Sequence, residues 1–157
     1  ENGHKVIGGF FKGDFNVGIE SAIGVFFNKH NKREGYQYNF GLDYSFGPVF
    51  MKLTKVYQDL DTLSFANPTH DYVGLKSKNY YLGNIQFPCD EFASFNMLLA
   101  HNVDDKSSLM IPELSYALSS KSNLNVMFLI PIGINENEFS TSVYGVSNLI
   151  VRWERFY

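Results

Sequence analysis

The densest group of residues able to move protons is His101, Asp104, Asp105, Ser107 and Ser108. A serine oxygen becomes a nucleophile when an imidazole within hydrogen-bond reach takes its proton and an acid orients that imidazole. A separation of six or seven residues across a hairpin brings either serine within reach of His101. The competing account is an ordinary polar loop in which Asp105 and Lys106 supply turn chemistry. A second set, Asp59, Asp61, Asp104, Asp105, Glu136 and Glu138, carries the hard oxygens that divalent cations prefer. It lacks a rigid loop spacing, and solvated loops account for it as well. His4, His30 and His70 fall in loops or at the terminus and read as surface residues. The single Cys89 cannot form an internal disulfide and joins no metal spacing. No phosphate loop, zinc spacing or nucleic-acid motif appears. The expectation is a chain without a cofactor that is not an enzyme.

The remaining charges of interest are Glu20, Asp43, Lys52, Glu113, Arg152 and Glu154. Asp43, Lys52, Glu113 and Arg152 each stand between apolar neighbours, and the elements that position all six have a period of two. Tyr36 to Phe46 alternates most cleanly, with Tyr36, Tyr38, Phe40, Leu42, Tyr44 and Phe46 on one face. Gln37, Asn39, Gly41, Asp43 and Ser45 take the other. Period two is the strand period. The same pattern recurs over Phe15–Phe27, Val49–Tyr57, Lys78–Phe87, Phe92–His101, Ser107–Leu118, Asn123–Gly133 and the terminal stretch, with a weaker strand at Lys5–Phe11. That makes about nine strands and no helical periodicity. Short turns at Gly13, Gly47, Pro88 and Ser120 alternate with longer, more charged loops.

An apolar face opposite a polar one covers a soluble core, or it faces lipid while the polar face lines a lumen. Composition favours lipid. Of 157 residues 17% are aromatic, whereas 18% are charged, below the usual quarter or so. Mean hydropathy is only −0.16, as expected when strands are half apolar. No apolar run reaches the roughly 18 residues of a spanning helix. The net charge of −3, without a basic stripe, argues against nucleic acid. The rings are sorted too. Phe15, Tyr44, Phe46, Phe87, Tyr116, Trp153 and Tyr157 lie near the short turns, and Phe27, Tyr36, Tyr38, Tyr57 and Tyr144 near the long loops. Two aromatic belts around an aliphatic band match the two interfaces of a bilayer. Asn16, Glu20, Gln37, Asn39, Asp43, Lys52, Thr54, Asn84, Asn96, Glu113, Ser115, Asn125, Asn148, Arg152 and Glu154 are then the inward positions. Isolated charges in an apolar core cost several kcal/mol, about 2–7 even for uncharged polar groups, so this set suits a hydrated lumen.

The last strand, with Leu149, Val151, Trp153 and Tyr157 at alternate positions, resembles the terminal strand of bacterial outer-membrane barrels; Arg155 breaks the pattern. Asp104–Leu118, D-D-K-S-S-L-M-I-P-E-L-S-Y-A-L, resembles late strands of larger porin-like barrels. The resemblance covers about a third of the chain. It implies an antiparallel up-and-down transmembrane β-barrel of the bacterial outer membrane, residues 1–157 forming one all-β domain or the C-terminal portion of one. Its partners would be the bilayer, lipopolysaccharide, and the remaining strands of a larger barrel or other subunits. The implied function is a channel for passive passage of ions or small solutes, lined by Glu20, Asp43, Lys52, Glu113, Arg152 and Glu154. Two alternatives stand beside it: a small eight-stranded barrel with a structural or lipid-hydrolase role, residues 1–14 being an extension, and a soluble lipocalin-type binding barrel. No leader segment stands at Glu1, as expected of a mature chain or a fragment.

The assignment of faces is testable at neighbouring positions. Phe40→Arg is expected to impair assembly, because Arg at a bilayer midplane costs about 2–4 kcal/mol. Asn39→Arg is expected to be tolerated. Equal folded fractions of the two variants in a denaturant titration would refute the assignment.

Overall fold

The computed structural model describes residues 5–27, 30, 32–60, 77–134, 136–145 and 147–155. Residues 61–76, with Asp61 and His70, lie outside the described residues, as do His4, Phe156 and Tyr157. Alternation of apolar and polar side chains produces strands wherever it was expected. They are β1 (Lys5–Asp14), β2 (Gly18–Phe27), β3 (Arg33–Phe46), β4 (Val49–Leu60), β5 (Asn79–Pro88), β6 (Ala93–Asn102), β7 (Ser108–Ser119), β8 (Ser122–Ile132) and β9 (Asn148–Arg155). One helical turn, α1 (Thr141–Tyr144), interrupts the β8–β9 connection. Tyr144, expected in a strand-end belt, therefore belongs to that connection.

Each strand is hydrogen-bonded to the next, in the order β1 to β9, and every pairing is antiparallel. The weak strand at Lys5 proves complete, pairing with β2 over ten positions from Lys5↔Phe27 to Asp14↔Gly18. It is not an extension beside an eight-stranded barrel. The turn before β2 takes residues that alternation had assigned to the strand, with Asn16 at φ 69°. Asn16 is thus a turn residue and not an inward strand position.

The sheet does not close. β1 and β9 stand at opposite edges, so of the two arrangements expected, a complete barrel or a portion of one, the described strands do not form the complete barrel. Parity bears on the kind of seam that is available. In a meander of nine antiparallel strands the first and last run in the same direction. They cannot form the antiparallel seam that closes an even-numbered barrel.

Register makes the two faces continuous. Leu42 faces Ile19 on one side and Leu53 on the other, and Leu53 continues through Gly83 and Leu99 to Met110. On this apolar face Phe40, Leu42, Met51, Leu53, Leu99, Leu114, Phe128, Val151 and Trp153 are all exposed. The opposite, mixed face carries the polar alternates and the one hydrophobic cluster among the described residues: Val56, Tyr80, Leu109 and Phe139, with Leu82, Ala100 and Ile111 against it. So the buried core sits on the polar side of the sheet. A soluble lipocalin has the reverse arrangement.

The short turns use the expected chemistry. Gly47 lies at φ 55° between β3 and β4, in left-handed backbone that only glycine adopts freely. Gly47→Val is expected to lower stability by about 1–2 kcal/mol. Gly83→Ala, where a Cβ would meet Leu99 at an ordinary 3.6 Å, is expected to be close to neutral. Chemical denaturation of both variants checks the pair.

Candidate functional site

The six charges expected along a lumen all lie on the mixed face. Two sets of them meet. Glu20 and Lys52 form an ion pair at 2.6 Å, both about one-third exposed. Cross-strand register puts Lys52 directly opposite Asp43, so one cation stands between two carboxylates. Two glycines make the room. A Cβ on Gly41 would stand 2.8 Å from Glu20 Cγ, and one on Gly18 would run into the Asp43 carboxylate. Arg152 pairs with Glu154 at 3.1 Å on β9, and Asn125 donates to Glu154 at 3.2 Å. Glu113 joins neither set; its register neighbours are Asn96 and Met127. Asn96 in turn accepts a hydrogen bond from Asn84 at 2.6 Å. The face is thus a wall of paired charges and amides of mixed sign.

At the long-loop end this wall is covered by residues 133–134 and 136–145, which fold back over it. Sequence reasoning treated this stretch as a plain connection, with Glu136 and Glu138 as solvated acids. Glu138 is buried instead, and its Oε2 accepts from Tyr80 Oη at 2.6 Å and from Asn102 Nδ2 at 2.8 Å. Phe139, 1% exposed, meets the Tyr80 ring edge-on at 6.4 Å. The β6–β7 turn holds the cover from below. Asp105 accepts from the Glu138 backbone N–H at 2.6 Å and from the Ser107 hydroxyl at 2.6 Å. Ser107 Oγ accepts from the Phe139 N–H at 3.1 Å. Asn102 Oδ1 takes the Asp104 N–H at 2.9 Å, and its amide donates to Ser77 at 2.6 Å. Gly133 permits the reversal, since a Cβ there would come within 2.9 Å of the Phe139 carbonyl oxygen. Every buried side-chain polar atom among the described residues has a partner. The one signal of this cover in the sequence was a phenylalanine, Phe139, inside an otherwise polar loop.

The serine–histidine set divides between the two faces. His101 Nδ1 and Ser108 Oγ lie 2.9 Å apart on the apolar face. Ser107 and Asp105 belong to the cover on the mixed face. Asp104 accepts from the backbone N–H groups of Lys78 and Asn79 and from the Asn79 amide. No described carboxylate is placed to orient His101, so the geometry is a pair and not a triad. The acids do not gather into a metal-holding group among the described residues either; Asp59 pairs with Lys78 at 2.5 Å.

On the apolar face the rings near the long loops stack across strands. Tyr57 lies 5.6 Å from Tyr36 and 5.1 Å from Tyr38, and Arg33 stands over Tyr36 at 4.9 Å. Lys55 stands over Tyr81 at 5.7 Å.

Burial pushes the Asp105 carboxyl up, but donors at Ser107 and Glu138 outweigh it and hold the group below its ordinary 3.8. A carboxylate lowered on folding stabilises the fold above its unfolded value, and that contribution is lost as pH falls through the folded value. The cover is therefore expected to stay docked through the ordinary carboxylate range and to loosen below it. Asp105→Asn is expected to loosen it at neutral pH. The Phe139 amide resonance reads both; an Asp105→Asn spectrum unchanged at Phe139 would contradict this role.

No family model matches the chain, and no curated protein and no solved structure matches it.

Proposed function

We propose that this chain forms part of the wall of a porin-like channel in a bacterial outer membrane, passing ions or small solutes passively. One observation carries the reading. Across all nine strands one face is mostly apolar and exposed, while the Glu20–Lys52 and Arg152–Glu154 pairs and the only described buried cluster lie on the other. In water an uncovered apolar sheet of this breadth is an association site. In a bilayer it is covered by acyl chains, and strands satisfy their backbone groups through their neighbours. The aromatic rings at both ends of the apolar band support the same reading. The open edges at β1 and β9 fit a wall continued by further strands, of this polypeptide or of other subunits.

On this reading Glu20, Asp43, Lys52, Glu113, Arg152 and Glu154 face the aqueous passage. Four are acidic and two basic, so this portion of the wall favours cations mildly. The cover over β5–β8 narrows the passage at its long-loop end. The lipid-hydrolase alternative has the His101–Ser108 contact in its favour, but among the described residues no acid is placed beside it.

Planar-bilayer recording tests the proposal. Asp43→Lys with Glu113→Lys is expected to shift the reversal potential toward anions. The shift is expected to shrink at 1 M salt, where the Debye length is about 3 Å. Well-folded protein that inserts but shows no steady conductance would overturn the channel. A monodisperse folded protein without detergent would overturn the membrane reading itself.

A further inference from the structure

Of the six charges on the mixed face, Glu113 alone has no opposite charge beside it. Glu20 pairs with Lys52, Arg152 pairs with Glu154, and Asp43 stands opposite Lys52. Glu113 is half-buried, and no ion pair or hydrogen bond reaches its carboxylate from the described residues. Asn96, directly opposite on β6, is hydrogen-bonded to Asn84. Arg152, two strands across and one row nearer the short turns, is held by Glu154. Toward the long loops the neighbours of Glu113 are apolar. Met127 stands directly opposite on β8, and Ile150 follows it on β9. Leu98 and Ile111 form the next row, two residues or about 7 Å along the strands. Leu98 is 43% and Ile150 44% exposed, so the patch is open. Ile111 also packs against the cluster that holds Phe139. The patch therefore lies at the edge of the cover.

We propose that Glu113 and this patch seat an organic cation, a solute with one positive charge and an apolar body. The charge lies against the Glu113 carboxylate, and the body lies over Met127, Leu98 and Ile111. Charge and surface together select this occupant. Glu113 repels an anion, and a neutral solute gains nothing from its charge. A small divalent ion gains nothing from the patch and gives up its water reluctantly for a single carboxylate. An organic ammonium meets both demands, and it supplies the partner that a half-buried carboxylate otherwise lacks. The seat rests on the reading of the mixed face as the wall of an aqueous passage, and it names a class of solute for that passage.

The test uses the intact protein in zwitterionic detergent micelles, with methyl-labelled methionine and isoleucine, titrated with benzyltrimethylammonium. The Met127 and Ile150 methyl resonances are expected to shift and to saturate. Tetramethylammonium, which lacks the body, and benzenesulfonate, which reverses the charge, are expected to leave them in place. Glu113→Gln is expected to weaken the binding about fivefold, the upper end for a half-exposed ion pair. Leu98→Thr is expected to weaken it about threefold, less than the full worth of a buried leucine. Asp14→Asn removes a carboxylate from the same face, in the row of Gly18 and Asp43 and away from the patch; it is expected to change nothing. Methyl resonances that fail to saturate, that answer benzenesulfonate equally, or that respond in Glu113→Gln as in the wild type would overturn the seat. Planar-bilayer recording separates this result from the fate of the channel. A conducting protein whose methyl resonances stay in place overturns the seat and leaves the channel standing. A protein that binds the cation as described but never conducts supports the seat and overturns the channel.

Discussion

The antiparallel ladder, held in period-two register across nine strands, is the constraint on which everything else depends. Each strand satisfies its neighbour's backbone groups, and the register carries every row straight across the sheet. A slip of one residue anywhere would carry a strand's whole apolar set to the other side. Leu42 beside Leu53, and Asp43 beside Lys52, are two consequences of the same pairing. The ladder therefore sets the separation of charge from hydrocarbon before any tertiary contact forms. It also creates the demand for a cover on the apolar side, since nothing within the described chain supplies one.

The mixed face shows how little packing the sheet itself provides. Away from the cover of residues 133–134 and 136–145 many of its side chains are half-exposed, with Thr54 and Asn125 buried and Phe10 open to solvent, and local pairs such as Lys52 with Glu20 contribute to its cohesion. Such half-exposed pairs are each worth about 0–1 kcal/mol, so they organise the surface more than they stabilise it. The cover over Tyr80 is different in kind. There the ring of Phe139 and the carboxylate of Glu138 are both removed from solvent, and each polar group that goes with them is matched. An unmatched partner in such a place costs about 1–3 kcal/mol, so the network of Tyr80, Asn102, Asp105 and Ser107 acts as a unit.

Most of the sheet was legible in the sequence, because period two and turn residues are local signals. The faces of Tyr36–Phe46 and the turn at Gly47 follow from a handful of adjacent positions. Even the assignment of the six charges to one face follows from alternation alone. The ion pair of Glu20 with Lys52 was not legible, because it needs the register of two successive hairpins and the space left by Gly41. The cover was not legible either. Its contacts join residues 32 to 58 positions apart, and no periodicity reports a loop that turns back. Whether the strands close on themselves was left open between two arrangements for a global reason: counting strands as about nine did not settle whether the first and last run the same way.

That disparity in range has a kinetic meaning. All eight pairings of the sheet are between consecutive strands, so each strand can dock on its predecessor through near contacts, only the β4–β5 and β8–β9 connections being long, and topology of this kind favours rapid assembly. The cover cannot join that progression early. Glu138 needs Tyr80 on β5 and Asn102 on β6, and Phe139 needs Ser107 at the start of β7. All three must already stand in register before the loop has anything to dock on. The burial of Phe139 is thus the last event of the central hairpins, and its ring reports that they have been built in the right order.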